Sequence, residues 1–366
     1  MKKQNIKSLD LNHLEKIFKE LGEPAYRARQ VYDWLWNKQA NGFEKMTNLS
    51  KELRTKLDEL FYIPKSRFSQ TEQSIDGTLK NAVTLPDRLI VESVLIPEGK
   101  RVTACISSQV GCSLDCTFCA TATLKRMRNL SVDEIVDQVV EAQQQSLEHY
   151  GTPLTNIVFM GMGEPLLNYE NVVKAIRIIT APDGLHFGAR RITVSTAGIP
   201  KMIKRLADEN LRVKLAVSLH AAIDETRSRL MPVNARTGGL QSLSEALQYW
   251  YRKTKSVITF EYLVFKNIND DEKHIEALVK MARKVPSKVN LIEYNPTDSF
   301  DRYQKADNRS LEKYRTALKK AGITVTLRRS RGQDIDAACG QLAARYENPD
   351  LPKIPTKKVF RNPSHL

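Results

Sequence analysis

Apolar residues recur at helical spacing through the first 60 positions: Leu11, Leu14, Ile17, Phe18 and Leu21, then Val31, Tyr32, Leu35 and Trp36, then Leu49, Leu53, Leu57 and Leu60. A stripe with a period near 3.6 marks a helix with one buried face, so three helices are expected, separated at 22–24 and 41–42. Beyond them the period drops to two. Residues 68–85 break at Asp76-Gly77, a hairpin turn signal, and 89–96 is apolar apart from Glu92 and Ser93. Period two places Glu92 on the face of Ile90, Val94 and Ile96. Two readings stand for that carboxylate. Buried among apolar neighbours, it has a raised pKa and acts as a base; on an edge strand, it turns to water.

From Arg101 onward, short apolar runs alternate with amphipathic ones. Strands are predicted at 102–107, 156–160, 191–196, 213–220, 258–265 and 289–295, with a last one at 324–329. Helices are predicted at 132–147, 169–179, 200–208, 241–253, 271–283 and 309–320, the first opened by a capping box of Ser131 and Glu134. Repeated strand-helix units imply a parallel sheet with right-handed crossovers. Six units fall short of a closed barrel, so the expected fold is α/β, a partial (β/α)6 TIM-like barrel open on one side. The chain divides into a helical accessory domain at 1–66, a β extension carrying Glu92 at 67–97, the barrel at 98–331 and a C-terminal tail carrying Cys339 at 332–366.

In such barrels, chemistry collects at the carboxyl ends of the strands. The run Cys112-Ser-Leu-Asp-Cys116-Thr-Phe-Cys119 follows the first strand, and Gly161-Met162-Gly163-Glu164-Pro165 follows the second. Ser195 ends the third, Ser218-Leu219-His220 the fourth and Asn295 the sixth. Residues 221–239 read as a long loop carrying Arg227, Arg229, Asn234 and Arg236. On a rim, such arginines either grip phosphates or are surface charge.

Composition narrows the class. The chain has 366 residues, 41% of them hydrophobic, enough for a large core, and no apolar run of membrane-spanning length. Neither a signal peptide nor a membrane helix is expected. Five cysteines, an odd number with three clustered, suit a reducing cytoplasm and metal or redox chemistry. The net charge of +15, from 57 Lys and Arg against 42 Asp and Glu, points to a polyanionic partner, most simply nucleic acid. The N-terminal helices carry Lys16, Arg27, Lys38 and Lys56 among other cations, which either track a phosphate backbone or form a solvated surface.

Three thiolates on one tight loop hold a metal but leave its coordination a ligand short. A cubane iron-sulfur cluster held by three cysteines keeps one iron open for a substrate or cofactor. The competing readings are a zinc knuckle completed by Cys105, Cys339 or a histidine, and plain reduced core cysteines. Cys105 shares the polar face of its strand with Thr103 and Ser107, close to the cluster loop. Cys339 follows the last strand among small residues. Each, taken alone, reads more often as a small buried hydrophobe than as a nucleophile.

The joint pattern CISSQVGCSLDCTFCATA, FMGMGEPLLN, VSTAG, VSLHA, LMPVN, YNP and DIDAACGQL resembles the RlmN/Cfr family of radical S-adenosylmethionine (SAM) RNA methyltransferases across nearly the whole chain. Pro165 and Leu167 resemble the RlmN branch. The resemblance implies methylation at C2 of adenosine in 23S rRNA, at the peptidyl transferase centre, and in tRNA beside the anticodon. It implies a [4Fe-4S] cluster on Cys112, Cys116 and Cys119, and SAM held by Gly163, Glu164, Ser195, Ser218, Leu219, His220 and Asn295, with two SAM used per turnover. Cys339 would carry the methyl group as S-methylcysteine, Cys105 would resolve it through a transient disulfide with Cys339, and Glu92 would accept the proton. A flavodoxin or ferredoxin would supply electrons to a monomeric, cytoplasmic enzyme. The alternatives are a Cfr-like enzyme acting at C8 and a non-catalytic, zinc-stabilised RNA-binding protein.

Overall fold

The apolar stripes of the N-terminal 60 residues fold as helices in the computed structural model, which describes residues 3–296, 303–344 and 354–356. A two-residue strand, β1 (Gln4–Asn5), precedes α1 (Leu11–Glu20), α2 (Ala25–Trp36) and α3 (Lys51–Leu60), and β2 (Phe61–Tyr62) returns to pair with it in parallel. Asp10 and Ser50 set the starts of α1 and α3. Each accepts the backbone N–H three residues on, from His13 and Leu53, a cap worth about 1 kcal/mol. Leu14, Phe18, Val31, Leu35, Leu53 and Leu57 are buried in a shared core.

The chain then enters a ten-stranded sheet. β3 (Arg67–Gln73), β4 (Leu79–Thr84), β5 (Ile90–Glu98) and β6 (Arg101–Cys105) form an antiparallel meander. A small ladder of β7 (Gln109–Val110) and β8 (Arg128–Asn129) brackets the cysteine loop and the single turn of α4 (Ala120–Thr123). α5 (Val132–Tyr150), opened by the expected Ser131–Glu134 capping box, crosses to β9 (Asn156–Phe159), which lies parallel to β6. The unit repeats through α6 (Tyr169–Thr180), β10 (Ile192–Thr196), α7 (Pro200–Asp208) and β11 (Lys214–Ser218). α8 (Asp224–Leu230), α9 (Val233–Arg236), α10 (Gly239–Thr254), β12 (Ile258–Val264), α11 (Glu272–Arg283), β13 (Ser287–Glu293), α12 (Asn308–Lys320) and β14 (Thr324–Arg328) complete it. β12 is buried at every position, as a parallel strand covered on both faces requires. The fold is the expected α/β partial barrel with a helical N-terminal module. Each predicted barrel strand lies within two residues of its observed ends.

Because the sheet stops at β3 on one side and β14 on the other, the barrel does not close on itself. Residues 330–344 strap the open side. Gly332 N–H donates to Asp76, Asp334 accepts from Ser74 and from Ile75 N–H, and the Lys80 ammonium reaches Ile335 O. Gly332 has φ +64°, and a Cβ there would lie 2.7 Å from Ala337 Cβ and 3.0 Å from Thr78 Cγ2, so the strap turns into the hairpin only at a glycine. The expected tail past Ala344, apart from 354–356, lies outside the described residues.

Two expectations are corrected. Residues 221–239 are not a loop: they form α8 and α9, and the buried side of α8 is Thr226, Arg227 and Leu230, where an inward arginine hides the helical period. The edge-strand reading of Glu92 also fails, since β5 is paired on both sides and Glu92 is 2% exposed.

The N-terminal module docks on α5. Lys7, itself buried, pairs with Asp137 at 2.8 Å and lies over the Trp36 ring, while Ser66 N–H donates to the second Asp137 oxygen. Removing one partner of such a buried pair typically costs about 3–5 kcal/mol. Among the described residues, no helix is long and apolar enough to cross a membrane.

Candidate active site

The cysteine loop is gripped from three sides. Thr117 N–H donates to Leu230 O at the end of α8, and its hydroxyl shares a 2.5 Å hydrogen bond with Tyr303. The Phe118 ring packs edge-on to His220 at 4.9 Å and against Phe265 at 5.6 Å. Ala120 N–H donates to Gly340 O on the strap. So held, Cys112, Cys116 and Cys119 line one cavity of about 160 Å³ at the carboxyl ends of the strands.

Three thiols around a void are a donor set for a cluster. Among the described residues, no three His, Cys, Asp or Glu side chains converge as a single ion requires. Burial pushes the Cys116 and Cys119 thiols up, and neighbouring thiols add to the shift; bound metal charge reverses that balance. Compensating positive charge is already present. Arg227 is 1% exposed and has no carboxylate within ion-pairing distance among the described residues. It donates to the carbonyls of Ala197, Ser218 and Leu219 and to Asn234 Oδ1. It therefore ties the ends of β10 and β11 together beneath the loop, which is neither the phosphate grip nor the surface charge expected of it. Arg229 and Arg236 are exposed. These residues fit a four-iron cluster held by three thiolates.

Gly163, Glu164, Ser195, Ser218 and His220 line the same cavity. Gly163, at φ +94°, passes so close to β7 that a Cβ would sit 2.5 Å from Gln109 Cβ. Burial pushes the Glu164 carboxyl up to about 7, although the N–H groups of Ala197 and Leu166 both donate to it. A carboxylate poised there, at a cavity wall, suits a cationic group. Burial, with Arg227 nearby, lowers His220 to about 3, and its Nδ1 accepts from Leu263 N–H at 3.1 Å, so the ring is neutral. Two expected contacts lie off this wall. Leu219 is fully buried, and the Asn295 amide is held between Ser330 and Gln333.

Cys339, exposed on the strap, stands on a wall shared by the mouth cavity and a larger one inside the barrel. Cys105 lines only the inner cavity of the two. Burial and the nearby Cys339 raise its thiol to about 12, and Arg328 opposes them. Glu92 is not on the mouth wall. Its Oε2 accepts the N–H groups of Ala343 and Ala344, at 2.7 and 3.0 Å, anchoring the strap a few residues past Cys339. Sequence reasoning passed over Glu261 and Arg328, which stand on both cavity walls with Nη1 and Oε2 4.0 Å apart. Their signal was a charge inside a strand, visible only once the inward face is known.

Residues 4–63 match the family described as the ribosomal RNA large subunit methyltransferase N-terminal domain, and residues 106–280 match the radical SAM superfamily. A probable dual-specificity RNA methyltransferase RlmN from Christiangramia forsetii is 56% identical, covering 93% of this chain and 97% of its own. One from Flavobacterium johnsoniae is 54% identical, covering 94% and 98%. Among solved structures, a radical SAM methyltransferase from Sphaerobacter thermophilus superposes with a TM-score of 0.86 at 40% identity, covering 93% of this chain and 99% of that one.

Proposed function

We propose, from the premise that this chain belongs to the RlmN family of radical SAM dual-specificity RNA methyltransferases, that it methylates C2 of adenosine in 23S rRNA and in tRNA beside the anticodon. The observation that carries this reading is the meeting of the three-thiol loop with Cys339 at one cavity. Ring carbon 2 is electron-poor and does not attack a sulfonium methyl as an amine does. With a [4Fe-4S] cluster on Cys112, Cys116 and Cys119 and two SAM per turnover, the cofactors supply a methyl group and a radical able to activate it.

The chain's own residues do the rest. Cys339 would carry the methyl group as a thioether and present it to the base; once that methyl has given up one hydrogen atom to the SAM-derived radical, its carbon would bond to ring carbon 2 and join protein to RNA. Glu92 takes the ring proton once the strap frees it from the Ala343 and Ala344 amides. Cys105 then attacks the Cys339 sulfur, releasing methylated RNA as the Cys105–Cys339 disulfide forms. Glu164, Ser195, Ser218 and His220 hold SAM against the wall; Gly163 gives it backbone access, and Leu219 and Asn295 act through their neighbours. The non-catalytic zinc reading has no support in a family of enzymes, and Pro165 and Leu167 favour C2 over C8.

An adenosine buried in folded RNA must be unstacked to reach this mouth, and the basic surface suits RNA read by shape and phosphate contacts. A flavodoxin or ferredoxin supplies the electrons, and the enzyme works as a cytoplasmic monomer. Cys105→Ala tests the scheme. RNA should stay covalently attached to the protein, seen as a slow band on a denaturing gel and as a summed mass. Recovery of free, unmodified RNA alone would sink it.

A further inference from the structure

Barrel interiors are normally filled by layers of branched apolar side chains. This one is not. Behind the mouth lies a cavity of about 540 Å³ whose walls include Thr103, Asn156, Thr193, Thr259, Asn290 and Thr326. That volume falls within the roughly 300–1,000 Å³ of small-ligand sites, and nothing in the mouth chemistry calls for it.

Three of its cations lie at the end away from the cluster, while Glu261 and Arg328 stand on the wall it shares with the mouth. Lys214 begins β11, Lys288 lies near the start of β13 and Arg101 begins β6, so all three stand at the amino ends of the strands. Arg101 is paired with Glu98. Neither Lys214 nor Lys288 has a carboxylate within ion-pairing distance among the described residues. Partial burial lowers the Lys214 ammonium, and Lys288 and Arg101 lower it further, although two carboxylates share the wall, Glu98 paired with Arg101 and Glu261 within the field of Lys288. At the far end of the same cavity stand Cys105 and Cys339, with the Arg328 guanidinium beside them.

We infer that the barrel interior is a rear channel through which an anionic low-molecular-weight thiol reaches and reduces the Cys105–Cys339 disulfide. The inference rests on the proposed resolving role of Cys105. A thiolate attacks the Cys105 sulfur, the S–S bond breaks, and Cys339 leaves as a thiolate beside Arg328. A second thiolate attacks the mixed disulfide, releasing the oxidised reductant and returning Cys105, which takes a proton from water. Two thiols are oxidised and one disulfide is reduced.

Geometry favours a small reductant over a protein dithiol. From Arg101 to Cys105 the strand runs four residue steps, about 13 Å at ~3.3 Å each, a depth that admits a small thiol to the Cys105 sulfur but not a protein-surface cysteine, which would have to attack the exposed Cys339 sulfur from the strap side instead. The rear route also leaves the mouth to RNA and SAM.

Two measurements on the anaerobic, cluster-loaded, SAM-bound full chain test this, with Lys214→Glu/Lys288→Glu as the variant. In the resting enzyme, Cys105 should react with an anionic methanethiosulfonate about ten-fold faster than with a cationic one of similar size, and the variant should invert that order. After one turnover on RNA, glutathione should restore both thiols about ten-fold more slowly in the variant, while neutral 2-mercaptoethanol differs by less than about two-fold. Equal labelling by both reagents, or glutathione reduction indifferent to the two charges, overturns the channel. Absence of any Cys105–Cys339 disulfide after turnover overturns the resolving role itself, a separate result that peptide mass mapping distinguishes.

Discussion

Two segments carry the thiols of the mouth, and they are held in opposite ways. The cysteine loop is packed: Leu114 and Phe118 are each 7% exposed, and Phe118 sits in an aromatic cluster with His220 and Phe265. The strap at 330–344 is tied by polar groups, through Asp76, Asp334, Lys80 and Glu92, in addition to the burial of Ala337 and Leu342. Apolar packing is lost all at once, whereas hydrogen bonds exchange with water one at a time. In the proposed scheme a cluster stays in place while Cys339 travels between the RNA base and Cys105. The contrast in anchoring matches that division of labour.

Removing thiols separates the two segments most sharply. Cys116→Ala should abolish methylation and strip the protein of its brown colour, iron and acid-labile sulfide. Cys339→Ala should abolish methylation as completely yet leave colour, iron and sulfide at wild-type levels. A colourless Cys339→Ala protein would mean that the strap thiol serves the cluster instead, and the comparison would collapse.

Next in size is the packing itself. Phe118→Ala removes a buried ring from between His220 and Phe265, so a loss of about 3–5 kcal/mol is expected in denaturant unfolding, with partial cluster loss. Titration acts on the same anchor. His220, lowered to about 3 by burial, is neutral in the fold but protonates near 6.5 when unfolded. Its folded pKa is depressed, so its contribution is present above pH ~6.5 and is lost as pH falls toward about 3. His220→Phe should flatten that slope in unfolding measured from pH 7 to 5.

How much of this was legible beforehand follows from the same physics. The barrel strands and the cysteine loop are local patterns: period two, period 3.6, and a fixed spacing of thiols. They survive in a linear reading because the neighbours that matter are close in sequence. Arg227, Glu261 and Arg328 are long-range facts. Each is a charge set where the local pattern asks for an apolar residue; Glu261 and Arg328 face each other across strands, and Arg227, though three of its partners are within nine residues, reaches the end of β10 at Ala197. The strap's role was hidden for the same reason, since its anchors Ser74, Asp76 and Glu92 stand more than 240 residues from Gly332, Asp334 and Ala343. Glu92 shows both sides. Its face on β5 was readable from period two, but its acceptance of the Ala343 and Ala344 amides was not.

That carboxylate offers a smaller test. Glu92→Gln keeps the shape but leaves one side-chain oxygen where two were available to the Ala343 and Ala344 amides, and a hydrogen bond weakened in this way costs about 0.5–1.5 kcal/mol. Hydrogen exchange at Ala343 and Ala344 should quicken by up to about ten-fold, since ~1.4 kcal/mol is one factor of ten. Amides of the cysteine loop should not change. Equal quickening in both segments would show that they open as one unit and that the strap has no independent motion.

The smallest effect lies at the other end of the strap, where two carboxylates grip the hairpin. Burial alone would push Asp76 up, but hydrogen bonds from Thr78 and from Gly332 N–H hold it below the ordinary carboxylate range. Asp334 is held low by its hydrogen bond from Ser74, with a second from Ile75 N–H. Both folded pKa values are depressed, so their contribution is present above the unfolded value near 3.8 and is lost only as pH falls below it. The strap end should therefore stay docked through the range in which His220 is already destabilising the loop, and loosen at more acid pH. Protection of the Gly332 and Ile75 amides, followed from pH 6 to 3, should hold steady to about pH 4 and then fall. In Asp76→Asn/Asp334→Asn it should be lower at pH 6 and no longer respond to acid. Protection that declined from pH 6 alongside the global unfolding free energy would tie the strap to the loop's titration and remove the distinction between them.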